Sequence, residues 1–358
     1  MLYVFDRELN FQGVIEGYFN LRWIRRYVKC GEFELHCGLT NENLNLLKKG
    51  SIVCKKYDLE AGYISHRNLK QDAEGKEILI VRGKFLTGYL GQRIIWGTEI
   101  LNTTAELGIR QLIDKNCINP DNIDRKISLL TLGALKSFPD LLNYQVSYKN
   151  LLDEIESIAA TNELGIKTLI DVQNKQMIFD VYKGIDRTAG QSINAPAIFS
   201  KEFENILEQE FVDSSINYRN IALIAGEGEG NLRQLATIGQ GIGLDRYELF
   251  IDARDLQQEN LSNQEYTSLL KNRGQNKLSE YTDIRTFDSK INLNSNLIYN
   301  EDFNLGDLVT CTSKKWGITT NARITEIEET YDSNGKQINV IFGNNVPTLI
   351  DKLKAVIK

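Results

Sequence analysis

The residues of this chain with the types and spacing to do chemistry fall into three sets. Carboxylates stand close together at Glu154 in DEIE and at Asp252 and Asp255 in DARD, the kind of pairing that a glycan hydrolase divides into acid and base. Five cysteines, Cys30, Cys37, Cys54, Cys117 and Cys311, offer thiolates to a metal or as nucleophiles. The stretch IALIAGEGEGNLRQL, residues 221–235, passes from an apolar strand into Gly226, Gly228 and Gly230, as many phosphate-binding turns do.

Spacing argues against each. No lysine follows the glycines as a P-loop requires, and the sixth position from Gly226 is Asn231, where a dinucleotide fingerprint needs glycine. Glu227 and Glu229 would face the phosphate, and unit charges a few ångström apart repel by about 1–4 kcal/mol. A glycine-rich turn is left. Six residues separate Cys30 from Cys37, wider than paired zinc ligands, and His36 and Cys37 point to opposite faces of a strand. An odd cysteine count in a long chain also argues against a disulfide framework, so the thiols read as core. With two histidines, His36 and His66, and no G-x-S-x-G, a Ser or Cys triad lacks its parts. The acidic pairs read as solvated faces or turns. A carboxylate-dependent cell-wall glycan hydrolase using Glu154, Asp252 or Asp255 is kept as the alternative.

The elements that must carry these residues are mainly strands. In the first hundred residues, short alternating segments split by glycines suggest a small barrel or sandwich, with a hairpin at DAEGKE and a strand with one apolar face in EILIVRGK. NTTAELGIRQLIDKNC predicts a helix capped by Thr103 or Thr104. SYKNLLDEIESIAATNELGIK predicts another, capped by Ser147 or Asn150 and closed by Gly165. GIKTLIDVQNKQMIFDVYKG predicts two strands about QNKQ packed on that helix. From Ile198 strands return, 263–281 predicts a charged helix broken at Gly274, and the chain ends in a β-meander with a hairpin at DSNGK.

At 358 residues, 42% apolar and 25% charged, the chain has the make-up of a globular protein large enough for two or three domains. A net charge of −6 argues against a dedicated nucleic-acid binder or an anionic-membrane protein. No secretory signal and no apolar run near the roughly 20 residues that span a bilayer are seen, which predicts folding in a cytoplasm. The run NLRWIRRYVKCGEFEL interleaves Arg22, Arg25, Arg26 and Lys29 with Trp23 and Tyr27. It reads as a nucleic-acid patch, as a strand with one buried face, or as a protein–protein surface; the acidic balance favours the last two.

The order of motifs resembles the siphovirus Gp37-like family of phage tail proteins. WIRRYVKCGEFEL, LLKKGSIV, AGYISHRN and ILIVRGKFLTGYLGQRIIW fall in that order in the first half. FSKEFENIL, NYRNIALIAGEGEGNLRQ, GLDRYELFIDARDL, FNLGDLVT and RITEIEE follow in the second. The family is similar to baseplate hubs and to the N-terminal hub part of tail-associated lysins. The resemblance implies an α+β, mainly β fold with two tail-tube-like β-barrels: 1–96, then a mixed helix and hairpin region at 97–190, then 191–358 with a helical insertion at about 256–290. It implies a homotrimer joining a sixfold tube to a threefold tip, with tail tube, distal tail or baseplate, and spike or lysin proteins as partners. DNA would pass through the lumen without specific binding, and no membrane, cofactor, metal or catalysis is implied. The place is a virion tail or tail-like particle, of a phage, prophage or bacteriocin, assembled in the bacterial cytoplasm. The chain ends at Lys358, so the cell-wall work is expected of a separate protein. Candidate interface or motif residues are Trp23, Arg25, Arg26, Tyr27, Gly31, Phe33, Gly226, Gly228, Gly230, Asp245, Arg246, Asp252, Gly306 and Asp307.

Overall fold

The computed structural model describes residues 1–343 apart from 72, 74, 259 and 260. Seven strands come first: β1 (Leu2–Phe5), β2 (Phe11–Ile15), β3 (Tyr18–Arg26), β4 (Glu32–Gly38), β5 (Ile52–Lys55), β6 (Ala61–Gln71) and β7 (Glu77–Phe85), with one short helix, α1 (Asn41–Leu46). Alternation drives them: Leu79 and Val81 of β7 are buried while Arg82 points out. The expected β6–β7 hairpin forms, although part of its turn lies outside the described residues.

The middle region holds β8 (Thr98–Thr104), α2 (Ala105–Ile113), β9 (Leu130–Leu132), β10 (Leu141–Ser147), α3 (Leu151–Thr161), β11 (Gly165–Asp171) and β12 (Gln176–Tyr182). Thr104 caps α2 through the Leu107 amide, and Asn150 caps α3 through the amides of Leu152 and Asp153, as the sequence predicts. The end of α3 differs from expectation. Glu163, at φ 51°, makes the left-handed turn, and Gly165 opens β11 instead.

After two short strands, β13 (Asp186–Arg187) and β14 (Ile198–Phe199), come β15 (Ile206–Ser214), β16 (Ile221–Ala225), β17 (Leu235–Gly239), β18 (Glu248–Asp252), α4 (Asn263–Leu278), β19 (Ile284–Ile291), β20 (Leu308–Ser313), β21 (Ile318–Asp332) and β22 (Gly335–Gly343). The β21–β22 hairpin pairs Asp332 with Gly335 across a two-residue turn, with Gly335 at φ 97°. Helix α4 is not broken at Gly274. A Cβ there would stand 2.6 Å from Ile224 Cδ1, so the missing side chain lets the helix lie against β16.

The mainly β composition holds, but the strands do not close into two separate barrels. The main sheet is an open path, β15-β19-β22-β21-β3-β4-β7-β6-β5-β1-β2, with β13, β14 and β20 attached beside β21. The reason is the pairing of β3 with β21, Leu21 opposite Tyr331 through Arg26 opposite Glu326. A strand from each of the two expected barrels is thereby joined to the other. The glycine-rich turn is not in this sheet. It belongs to a smaller layer, β17-β16-β18, with β18 parallel to β16 and α4 on one face. The apolar core of the first seven strands runs on into the middle region, while β19–β22 enclose a second cluster.

Candidate functional site

The β3–β21 seam gathers most of the sequence-predicted residues. Strand β3 buries Leu21 and Trp23 on one face. The Trp23 ring packs 5.6 Å from Phe33 and 4.7 Å from Phe85, and Gly31 is required there because a Cβ would sit 2.5 Å from the Ile24 carbonyl oxygen. Tyr27 is buried and donates its hydroxyl to the Glu163 carbonyl at 2.8 Å. Gly306, at φ 93°, lies so close to it that a Cβ would meet the Tyr27 ring at 2.4 Å. Beside it Asp307 accepts from the amides of Ile185 and Asn304, both at 2.9 Å, and from Arg187 Nε at 3.1 Å. The folded chain thus brings Trp23, Arg25, Arg26, Tyr27, Gly31, Phe33, Gly306 and Asp307 to one junction.

Arg25 is buried and Arg26 half-buried, and only Arg22 is exposed, so the arginines do not spread as a patch. Arg25 Nη1 donates to Glu329 Oε1 at 2.7 Å and to the Tyr299 hydroxyl at 2.9 Å, Nη2 meets Asp58, and Nε lies 3.4 Å from Glu60. Lys55 Nζ is 2.6 Å and Lys336 Nζ 3.1 Å from Glu329, whose other partner is the Tyr331 hydroxyl at 2.6 Å. Burial pushes Glu329 up, yet Lys55 and Arg25 hold it at about 2. Burial raises Glu60 and, with Arg25 beside it, lowers Lys55. Removing one partner would leave the others a counter-charge short at the floor of a groove, so the network ties distant segments of the chain together. Arg26 is tied likewise to Glu326 and Glu32, both at 2.7 Å. A groove of about 870 Å³ opens over the joint.

Glu329 was not singled out from the sequence, though a signal exists. A register shift between Ile324 and Glu326 resets β21, so that Ile327, Glu329 and Tyr331 share a face. A carboxylate in phase with a buried isoleucine calls for a buried cation.

Gly226, Gly228, Gly230, Asp245, Arg246 and Asp252 lie apart, in the β16–β18 layer. A Cβ on Gly226 would meet the Tyr266 hydroxyl at 2.5 Å, and Gly228 takes φ 103°. The turn is closed by its own backbone, Gly226 N to Gln234 O at 2.8 Å and Gln234 N to Glu227 O at 3.1 Å. Asp252 is held by Arg233 and Arg254, and the Arg254 hydrogen bond keeps its carboxyl well below the usual range. Asp255 pairs with Arg273 at 3.2 Å, and Glu154 accepts from the Tyr144 hydroxyl. The carboxylates of the hydrolase reading are thus engaged by the protein's own donors.

All five cysteines are free and buried. Burial pushes Cys30, Cys54 and Cys117 up to about 12 and Cys37 to about 11, far from thiolate chemistry. Among the described residues no group of three or more His, Cys, Asp or Glu could hold a metal, and no helix is long and apolar enough to cross a membrane.

Residues 1–344 match the family model described as Siphovirus ReqiPepy6 Gp37-like protein. The chain belongs to that family. Solved tail proteins share its fold. The 43 kDa tail protein of prophage MuSo2 from Shewanella oneidensis is 12% identical at a TM-score of 0.58, over 95% of this chain and 97% of that one. The tail protein from Neisseria meningitidis MC58 is 11% identical at 0.57, over 95% of each. Prophage tail protein gp18 from Listeria monocytogenes EGD-e is 13% identical at 0.55, over 99% and 98%. No curated protein sequence matches the chain. The Gp37-like chain is therefore of phage-tail type.

Proposed function

We propose that this Gp37-like protein is a structural baseplate hub, a homotrimer that joins a sixfold tail tube to a threefold tip. The observation that carries the reading is the family match over residues 1–344 together with a tail-protein fold along the chain's length. In this reading each copy supplies two tube-like units, 1–96 and 191–358, around the mixed region 97–190. Three copies then present six units to the tube. The β3–β21 pairing and the charged joint beneath it support the proposal, because they hold the two units of one copy in fixed relation.

The hub meets tail tube, distal tail or baseplate, and spike or lysin proteins, and DNA passes its lumen without specific contacts. A net charge of −6 suits that passage, since each phosphate gripped would add affinity and slow transit. The chain does no catalysis; the cell-wall work belongs to a partner. Quantitative mass spectrometry of purified tail particles tests this. The expected result is this chain at half the copy number of one tube ring, co-purifying with spike or lysin. Its absence from particles that carry tube protein would refute the role.

A further inference from the structure

The loop at 240–246 belongs to no part of the joint, yet it exposes two aliphatic side chains almost completely, Ile242 at 88% and Leu244 at 96%. Single exposed aliphatics are common; two on a fixed turn are not. The loop is held at its base. Asn220 Nδ2 donates to the Asp245 carbonyl at 2.6 Å, and Asn220 Oδ1 accepts from the Tyr247 amide at 2.9 Å. Asp245 N reaches back to Ile242 O at 3.1 Å, Gly243 takes φ 58°, and a Cβ on Gly241 would clash with Asn220. Arg246 is tied to Glu248, which leaves the exposed Asp245 as the charge at the tip. A shape set before contact loses little entropy on binding.

The same chain carries a surface of opposite character. In the seam groove Arg25, Lys55 and Lys336 are balanced by Asp58, Glu60 and Glu329, and Arg187 by Asp307. Lys183 lines it too, paired with Asp140, and two further lysines complete the lining, Lys56 and Lys167. They lie over the Tyr57 and Tyr182 rings, at 4.7 and 4.5 Å, and make no ion pair among the described residues. Tyr57 is 93% and Leu59 62% exposed beside them. In an acidic protein this groove is a cationic, partly apolar hollow.

We propose that the 240–246 loop of one copy seats in the seam groove of a second copy, Ile242 and Leu244 against Leu59 and Tyr57, Asp245 toward Lys56 and Lys167. The two surfaces differ, so the contact is head-to-tail and propagates from copy to copy until a ring closes. This rests on the trimeric reading above and assigns its interface.

Analytical ultracentrifugation of the full chain tests it. Ile242→Ser/Leu244→Ser and Lys56→Glu/Lys167→Glu alter exposed or half-exposed side chains, and an unchanged melting temperature checks their folding. Each is expected to raise the concentration for assembly by at least about 30-fold, the loss of one hot-spot anchor. Mixing the two variants restores one intact contact per pair, so the mixture stops at a dimer. Asp245→Lys added to the lysine variant brings assembly back. A trimer that both variants leave intact overturns the interface but not the hub. A wild-type chain that stays single at every concentration overturns both.

Discussion

Three cations converge on the carboxylate of Glu329, and the stability of the joint depends on its charge. Its folded pKa, about 2, lies below its ordinary value of 4.5. Its contribution is therefore complete above the ordinary value and is lost as pH falls through about 2. The full span amounts to about 3 kcal/mol. Glu60, raised by burial, acts in the opposite sense, stabilising below its ordinary value and losing that as pH rises. Glu329→Gln is expected to cost about 3 kcal/mol near neutrality, because Arg25 and Lys55 lose one counter-charge while Asp58 and Glu60 remain. It should also flatten the stability profile between pH 4.5 and 2. Urea unfolding across a pH series measures both, and a variant with the wild-type slope would show that Glu329 is not the responsible acid. Asp252→Asn, Asp255→Asn and Glu154→Gln are expected to leave a bacterial-wall zymogram as blank as wild type; clearing by wild type that one of them abolishes would favour the hydrolase. Single residues are poorly legible in the sequence. Trp23, Arg25 and Tyr27 stand out by density of charge and ring, but the Glu329 partner of Arg25 lies 304 positions along the chain, where no local pattern points to it.

Elements were read more faithfully, because periodicity and caps are local. Helices α2 and α3 begin where Thr104 and Asn150 allow, and the hairpins at QNKQ and DSNGK form. Gly274 misled because glycine weakens an isolated helix but also permits close packing, and only the neighbouring sheet decides between the two. The same contact gives a prediction. Gly274→Leu must push α4 from Ile224, and Gly226→Ala must move Tyr266. Each is expected to cost about 1–3 kcal/mol, the usual range for overpacking. Hydrogen exchange should show the loss confined to β16–β18 and α4, with β3 and β21 protected as in wild type. Loss spread evenly over the molecule would mean that the small layer does not unfold on its own.

At the scale of the whole molecule, the mainly β class and the family were legible from composition and motif order, while the sheet's continuity was not. Whether β3 closes on its own unit or crosses to β21 is a choice between partners of equal hydrophobic pattern, and the ion pairs Arg22–Glu328 and Arg26–Glu326 favour the crossing. That crossing joins strands from the two ends of the chain in one sheet, which is what the proposed hub requires. The hub claim is tested most directly by electron-microscopy class averages of the purified full chain. The account predicts threefold rings with an open centre and a mass three times 40.8 kDa. Particles of a single chain, or closed twofold dimers, would contradict it.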